Sequence, residues 1–279
     1  MAFTLRFNGS IISLDQPLVM GIMNVTPDSF HASSRQASVD AALHTAEAML
    51  RDGATFLDVG GQSTRPGAER IDAEAEAARV IPVIDALARR FPNTCISVDT
   101  FYGDVARRAA DAGARMINDV SAFRFDPDLF QAVVDLQLPY VLMHMQGEPA
   151  TMQLKPRYGD VVGEVFSFFS THIQALRKAG VSDIILDPGF GFGKTTTHNF
   201  ELLRRLDELQ AFELPILAGI SRKGMIWKTL NVAPEEALNG STVAHVLALQ
   251  NGARILRVHD VKPAVEAIAI LQQVNTFTA

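Results

Sequence analysis

The sequence predicts an α/β fold closed into a single (β/α)8 barrel, and three features of it carry that prediction. Its 279 residues match one such barrel of roughly 250 residues with a short addition. Eight short apolar, β-branched runs alternate with longer stretches of helical period, the pattern of parallel strands joined by crossover helices. Polar residues close each run, so polar chemistry collects at one end of all eight strands.

The elements follow in chain order. Two apolar runs, Phe3–Phe7 and Ile11–Leu14, flank Asn8-Gly9-Ser10, and an Asn-Gly pair between such runs is a hairpin turn. This N-terminal β-hairpin, within residues 1–17, is expected to plug the lower end of the barrel. Strands are predicted at Leu18–Met23, Thr55–Val59, Cys95–Val98, Arg115–Ile117, Tyr140–Met143, Ile184–Leu186, Ile216–Ala218 and Ile255–Val258. Helical candidates between or after them include Val39–Arg51, Ala73–Arg90, Val105–Ala112, Val161–Ala179, Phe200–Leu209, Thr242–Gln250 and Ala264–Gln273. No Pro/Gly/Ser-rich linker or charge run divides the chain, so residues 1–279 read as a single domain.

Composition narrows the class of function. With 48% hydrophobic and 20% charged residues, the chain buries enough apolar surface to exclude intrinsic disorder. A net charge of −6 disfavours nucleic acid, whose phosphates demand net positive surface. No run approaches the ~20 apolar residues of a membrane span, and no basic segment followed by an apolar stretch opens the chain. The lone cysteine, Cys95, has no internal disulfide partner, which points to a reducing compartment. The expectation is a cytoplasmic protein acting on small molecules.

The strand ends carry Asn24, Asp58 with Gly60-Gly61, Asp99, Asn118-Asp119, His144, Asp187, Ser221-Arg222-Lys223, and Arg257 with His259. Any one Asp or Asn there reads as a cap for the following helix, and Asp119 and Asp260 are read that way. Arg, Lys and His are unfavourable at a helix N-terminus, so capping does not account for the set. In a (β/α)8 barrel the carboxyl ends of the strands form one active-site face.

Alternation places Arg257 and His259 on one face of their strand, with Leu256 and Val258 toward the helices. Arg65 adds a third basic group in Gly60-Gly61-Gln62-Ser63-Thr64-Arg65-Pro66-Gly67, where hydroxyls and a guanidinium suit phosphate oxygens. In Asp187-Pro188-Gly189-Phe190-Gly191-Phe192-Gly193-Lys194-Thr195 the spacing before Gly-Lys is one residue short of a nucleotide-binding P-loop. The stretch reads instead as a loop that lays Phe192 over a flat aromatic ligand while Asp187 addresses the ligand's edge. Asp99, Asn118 and Asp187 supply the acceptors that read the amino and ring nitrogens of a pyrimidinone-like heterocycle, with Met143 padding the ring. His31, His44, His144, His172, His198 and His245 show no metal-ligand spacing and are assigned to structure or surface. Asp58 is assigned to a structural role behind the loop.

Taken with Met20-Gly21-Ile22-Met23-Asn24-Val25-Thr26-Pro27-Asp28-Ser29-Phe30, Ser97-Val98-Asp99-Thr100 and His144-Met145-Gln146-Gly147, these strings resemble the dihydropteroate synthase family, in its order, from about Met20 to Ile268. The resemblance implies a cytoplasmic enzyme that condenses 7,8-dihydropterin-6-ylmethyl diphosphate with 4-aminobenzoate, with Mg²⁺, as a homodimer and as a target of sulfonamides. By the same resemblance, Asp99, Asn118, Asp187 and Lys223 bind the pterin in a slot lined by Met143, Phe192 and Gly219. Asn24 ligates Mg²⁺, and Ser63, Arg65, Arg257 and His259 hold the diphosphate. Thr64, Pro66, Phe192 and Ser221 border the aminobenzoate. The catalytic set is thus Asn24, Arg65, Lys223, Arg257 and His259, with the two loops around His31 and Arg65 expected to order when ligand arrives.

The chain departs from the family's usual pattern at His31-Ala32-Ser33-Ser34, where Ala32 stands for a frequent carboxylate, and at Gln62 and Gly224. Two alternatives share the pterin-reading residues: a methyltetrahydrofolate:corrinoid methyltransferase-type barrel, which has no need of a diphosphate cluster, and a non-catalytic pterin-binding paralogue.

Overall fold

The computed structural model describes residues 3–7, 9–25, 35–62 and 70–276. Strands β1 (Thr4–Phe7) and β2 (Ser10–Ser13) pair antiparallel as the hairpin. The chain then runs β3 (Leu18–Asn24), α1 (Arg35–Arg51), β4 (Phe56–Gly60), α2 (Ala73–Arg90), β5 (Cys95–Asp99), α3 (Gly103–Ala112), β6 (Met116–Asp119) and α4 (Asp128–Leu136). It continues through β7 (Tyr140–Met143), α5 (Val161–Lys178), β8 (Ile184–Asp187), α6 (Thr196–Arg204), β9 (Ile216–Ala218), α7 (Gly224–Leu230), α8 (Leu238–Gln250), β10 (Ala253–Val258) and α9 (Val261–Thr276). Strands β3 to β10 form a closed parallel barrel, sealed where β10 pairs with β3.

Strand alternation builds two cores. One residue from each barrel strand (Met20, Phe56, Cys95, Met116, Val141, Ile185, Leu217 and Ile255) joins an inner layer with Leu5 and Leu14 of the hairpin segment. The hairpin therefore closes the amino-terminal end of the barrel, as its sequence predicts. The intervening residues, including Val19, Leu57, Ile96, Val98, Ile117, Leu142, Leu186, Leu256 and Val258, pack outward against the helices in the larger core. Cys95 is buried in the inner layer, and burial pushes its thiol up to about 12, so it is inert at neutral pH.

The predicted helix at Phe200–Leu209 is not continuous. α6 ends at Arg204, and Leu206–Phe212 forms a 3-10 helix. Leu203, Leu206, Leu209 and Phe212 recur every three residues, and this spacing keeps them on one face only when the chain tightens to three residues per turn. α4 and α7, absent from the helices expected above, span two turns each and are too short for their period to stand out.

Leu5 and Leu14 touch only the closed end of the barrel, where burial contributes to stability and not to chemistry. Leu5→Ala is expected to lower stability by about 2–5 kcal/mol, the usual range for a buried leucine. Denaturant titration checks this as a lower midpoint with an unchanged slope.

Candidate active site

Two residues beyond the inner apolar layer, the same strand faces carry Ile22, Asp58, Ser97, Asn118, Met143, Asp187, Gly219 and Arg257. A further step of two reaches Asn24, Gly60, Asp99 and His259. One rule of alternation thus turns a hydrophobic plug into a polar mouth.

Charge at the mouth is organised by Arg257. Its Nε donates to Asp58 Oδ2 and its Nη2 to Asp99 Oδ2, each at 2.7 Å. Asn118 Nδ2 donates to the same Asp58 oxygen at 2.9 Å. That bond fixes the amide, so its carbonyl Oδ1 is the end left for a ligand. Asp58 is fully buried and its Oδ1 has no partner. Burial raises the Asp99 carboxyl while the Arg257 guanidinium opposes the rise; the guanidinium itself is held above its ordinary value by the two carboxylates. Asp58, set aside in the sequence reading, is therefore a member of the site. Its place two residues after inward-facing Phe56 is the signal that finds it.

Asp187 closes the opposite wall. Its Oδ1 accepts the Gly189 N–H at 2.8 Å, and burial raises its carboxyl against the pull of Lys223. A Cβ built on Gly219 would stand 3.7 Å from Asp187 Oδ2, so the bare backbone leaves that oxygen open. Lys223 Nζ lies 4.1 Å from the centroid of the Phe192 ring and donates to Phe190 O. Burial brings Lys223 down to about 8, with Asp187 opposing. Met143 and Phe192 share a small apolar cluster with Phe101, Val120, Met145 and Met152.

The glycine-rich loop is shaped from beneath. Gly189 and Gly193 hold φ of +69° and +62°, and a Cβ at either would fall within about 2 Å of the carbonyl oxygen of His144 or Gln146, a contact only glycine avoids. Lys194 turns inward, with Nζ 2.9 Å from Gly189 O, 3.2 Å from Phe192 O and 3.0 Å from His144 Nδ1. Burial lowers Lys194 to about 7 and His144 to about 2. The Gly-Lys pair is thus a strut under the loop, and His144 is a neutral structural group, as expected. His245 is likewise buried, His44 is exposed, and His172 and His198 make helix-local bonds.

Across the mouth, Ser221 Oγ accepts the His259 N–H at 3.2 Å and lies 3.1 Å from its Nδ1. Burial, reinforced by Arg257, lowers His259 to about 4, so the ring is neutral at pH 7. Asp119 is not the helix cap expected, whereas Asp260 does immediately precede α9 but directs its carboxylate elsewhere. Asp119 is buried and accepts from Ser121 N, Phe123 N and Tyr140 Oη, holding the β6–α4 loop eight residues before the helix cap at Pro127. Asp260 is the bidentate partner of Arg222.

Asn24 ends β3 in register with Gly60. Ser63, Thr64, Arg65 and Pro66, His31 and Ala32, and the expected ordering of their loops lie outside the described residues. The base of the second loop is described: Gln62 Oε1 accepts the Ile71 N–H at 3.0 Å. A glutamine carbonyl meets this need as a carboxylate would, which accounts for the departure at Gln62. Gly224 begins α7 with nothing closer to its built Cβ than 3.7 Å. Among the described residues no three His, Cys, Asp or Glu side chains form a metal cluster, and no helix is long and apolar enough to cross a membrane.

Fold and site together define a (β/α)8 barrel whose mouth is lined by the carboxylates of Asp58, Asp99 and Asp187 and the amide of Asn118, with Arg257 and Lys223 among them. A family model described as pterin binding enzyme matches residues 20–259. Dihydropteroate synthase of Escherichia coli (strain K12) is 48% identical over 266 residues, covering 95% of this chain and 94% of that protein. Dihydropteroate synthase of Yersinia pestis, solved with a sulfonamide drug complex, superposes with a TM-score of 0.92 at 45% identity, covering 99% of this chain and 100% of that one. The Xanthomonas albilineans enzyme, solved with 4-aminobenzoic acid, gives the same TM-score and identity over 99% of each chain. The chain belongs to the pterin binding enzymes, in their dihydropteroate synthase family.

Removing Arg257 would leave the Asp58 and Asp99 carboxylates buried and unpaired. Arg257→Ala is expected to cost about 3–5 kcal/mol of stability at pH 8. Without the cation that opposes it, burial raises the Asp99 carboxyl further, so the native state holds a proton that the unfolded chain has released, and the deficit grows with pH. Unfolding measured from pH 5 to 8 checks both the size and the sign.

Proposed function

We infer that this protein is a dihydropteroate synthase, joining 7,8-dihydropterin-6-ylmethyl diphosphate to 4-aminobenzoate and releasing 7,8-dihydropteroate and diphosphate. The observation that carries the reading is the meeting, in one barrel mouth, of the acceptors Asp99, Asn118 and Asp187 with a wall of donors made by Arg257, Lys223 and the neutral His259. A corrinoid-dependent methyl transfer has no use for that wall.

In this reading Asp99, Asn118 and Asp187 accept hydrogen bonds from the pterin's amino and ring N–H groups. Met143, Phe192 and Gly219 line the slot. Lys223 orients the pterin, its Nζ over the Phe192 ring, and Phe192 borders the second substrate along with Ser221, Thr64 and Pro66. The pterin-methylene C–O bond breaks with its electron pair going to the diphosphate, and the amine nitrogen of 4-aminobenzoate attacks the methylene carbon and loses a proton. The electron-rich pterin supports the developing positive charge, so the costly species is the leaving group. Preorganised donors stabilise it most when they are in place before the bond breaks. Arg257, His259, Arg65 and Ser63 serve that purpose. Arg257 has a second duty, because its bonds to Asp58 and Asp99 couple the leaving-group wall to the ring pocket. The sequence reading had kept the two apart.

Asn24 offers one neutral amide oxygen, and among the described residues no acid cluster stands beside it. That donor set suits a Mg²⁺ ion that arrives with the diphosphate and keeps phosphate and water oxygens. When bound, the ion supplies charge neutralisation on the departing diphosphate.

The chain acts as a homodimer in the cytoplasm. Exposed Leu230 of α7 and exposed Leu238, Val243 and Leu247 of α8 support a dimer face, and the buried, unpaired Cys95 supports a reducing compartment. Sedimentation at neutral pH is expected to give twice the mass of the chain, and charged substitutions at Val243 and Leu247 to give the monomer.

Incubation of the purified protein with the pterin diphosphate, 4-aminobenzoate and Mg²⁺ tests the activity directly. Formation of dihydropteroate with equimolar diphosphate is expected, abolished by a chelator; a non-catalytic paralogue would form neither product. Lys223, lowered to about 8, sheds its proton above that pH. Wild-type kcat/KM is therefore expected to fall on the alkaline side with a midpoint near 8, as free-enzyme ionisations do, and Lys223→Met is expected to lack that limb.

A further inference from the structure

The paired strands β9 and β10 end their ladder at Ala218 and Leu256, yet the loops beyond stay joined by side chains. Ser221 and His259 form one rung, through the Ser221 Oγ contacts to His259 N and Nδ1. Their chain neighbours Arg222 and Asp260 form the next. Arg222 Nε reaches Asp260 Oδ2 at 2.8 Å and its Nη2 reaches Oδ1 at 2.9 Å, a bidentate geometry that restricts both partners.

Arg222 is also held from two other directions. Its Nη1 donates to Glu235 O at 2.9 Å, and its backbone N–H donates to Ser241 Oγ on α8 at 2.9 Å. Ser241 Oγ in turn donates to Ala237 O at 2.8 Å. The backbone of Arg222 has φ of +53°, a left-handed conformation that a residue with a side chain adopts only when its surroundings over-determine it. The effect is to send neighbouring Ser221 to His259 and neighbouring Lys223 to the glycine-rich loop, while the guanidinium turns to Asp260 and Glu235.

We propose that Arg222 and Asp260 are positioning residues that hold His259 and Ser221 in register across the mouth and act on the reaction through His259. The proposal rests on the reading of His259 as a group that holds the leaving diphosphate. It separates these residues from the pterin pocket, whose reading groups Asp99, Asn118 and Asp187 sit on β5, β6 and β8.

The test is a double-mutant cycle. Asp260→Asn and Arg222→Lys, each about a quarter exposed in the side chain, are made singly and in a His259→Ala background, with folding verified by circular dichroism. Each single substitution is expected to lower kcat by about tenfold, and in the His259→Ala background to add less than about twofold, because residues acting through one group are not additive. Affinity for the free pterin, by calorimetry, is expected to hold within about twofold. Should Arg222→Lys not fold, the Asp260→Asn series reads the same coupling. Losses that multiply in full in the His259→Ala background, or a parallel loss of pterin affinity, would overturn the clamp and leave His259 in its role. A His259→Ala enzyme with undiminished kcat would remove both.

Discussion

Arg257 is the constraint on which the mouth of the barrel depends. Two aspartates and an asparagine converge there in near-complete burial, and one planar guanidinium, through two nitrogens on different carboxylates, makes that density of acceptors tolerable. Charges taken out of water this way are costly unless each is paired in good geometry. The arrangement has a chemical return: with Asp58 occupied by Arg257 and Asn118, the remaining oxygens of Asp99 and Asn118 are left for a ligand.

A similar economy runs through the opposite wall. Lys194 is buried without a carboxylate partner, its ammonium spread over backbone carbonyls and one neutral histidine nitrogen. It stiffens the loop that carries Phe192 and leaves Asp187 unengaged by a direct ion pair. The loop's glycines follow from the same packing, since the carbonyl oxygens of the β7 loop occupy the space where side chains would begin. The same fixity recurs at the Ser221–His259 rung, where the serine hydroxyl holds both the backbone and the ring of the histidine.

Several of these features were legible in the sequence because they depend on local periodicity. The hairpin follows from Asn8-Gly9 between apolar runs, the barrel from eight strand–helix alternations, and the inward set Arg257 and His259 from a spacing of two. Applied with equal strictness, that spacing also reaches Asp58 from Phe56. It was passed over because an aspartate beside Gly60-Gly61 equally well describes a loop acceptor. Asp119 differs from the expected helix cap for a related reason: an acid after a strand looks like a cap whatever side chain awaits it. The break at Arg204 was hidden because a three-residue recurrence of leucines mimics helical period over a short window.

By itself the sequence determined the fold class and the polar end of the barrel, since both follow from residue type and short-range spacing. Which of the polar residues touch one another was decided only by tertiary structure. Arg257 and Asp58 stand 199 positions apart, and they meet because β10 closes against β3, beside β4. Arg222 and Asp260, 38 apart, meet because a left-handed turn and a serine on α8 aim the arginine away from the mouth. Such pairings depend on barrel closure and on which side chain reaches first, and a linear pattern of residues does not encode either distance.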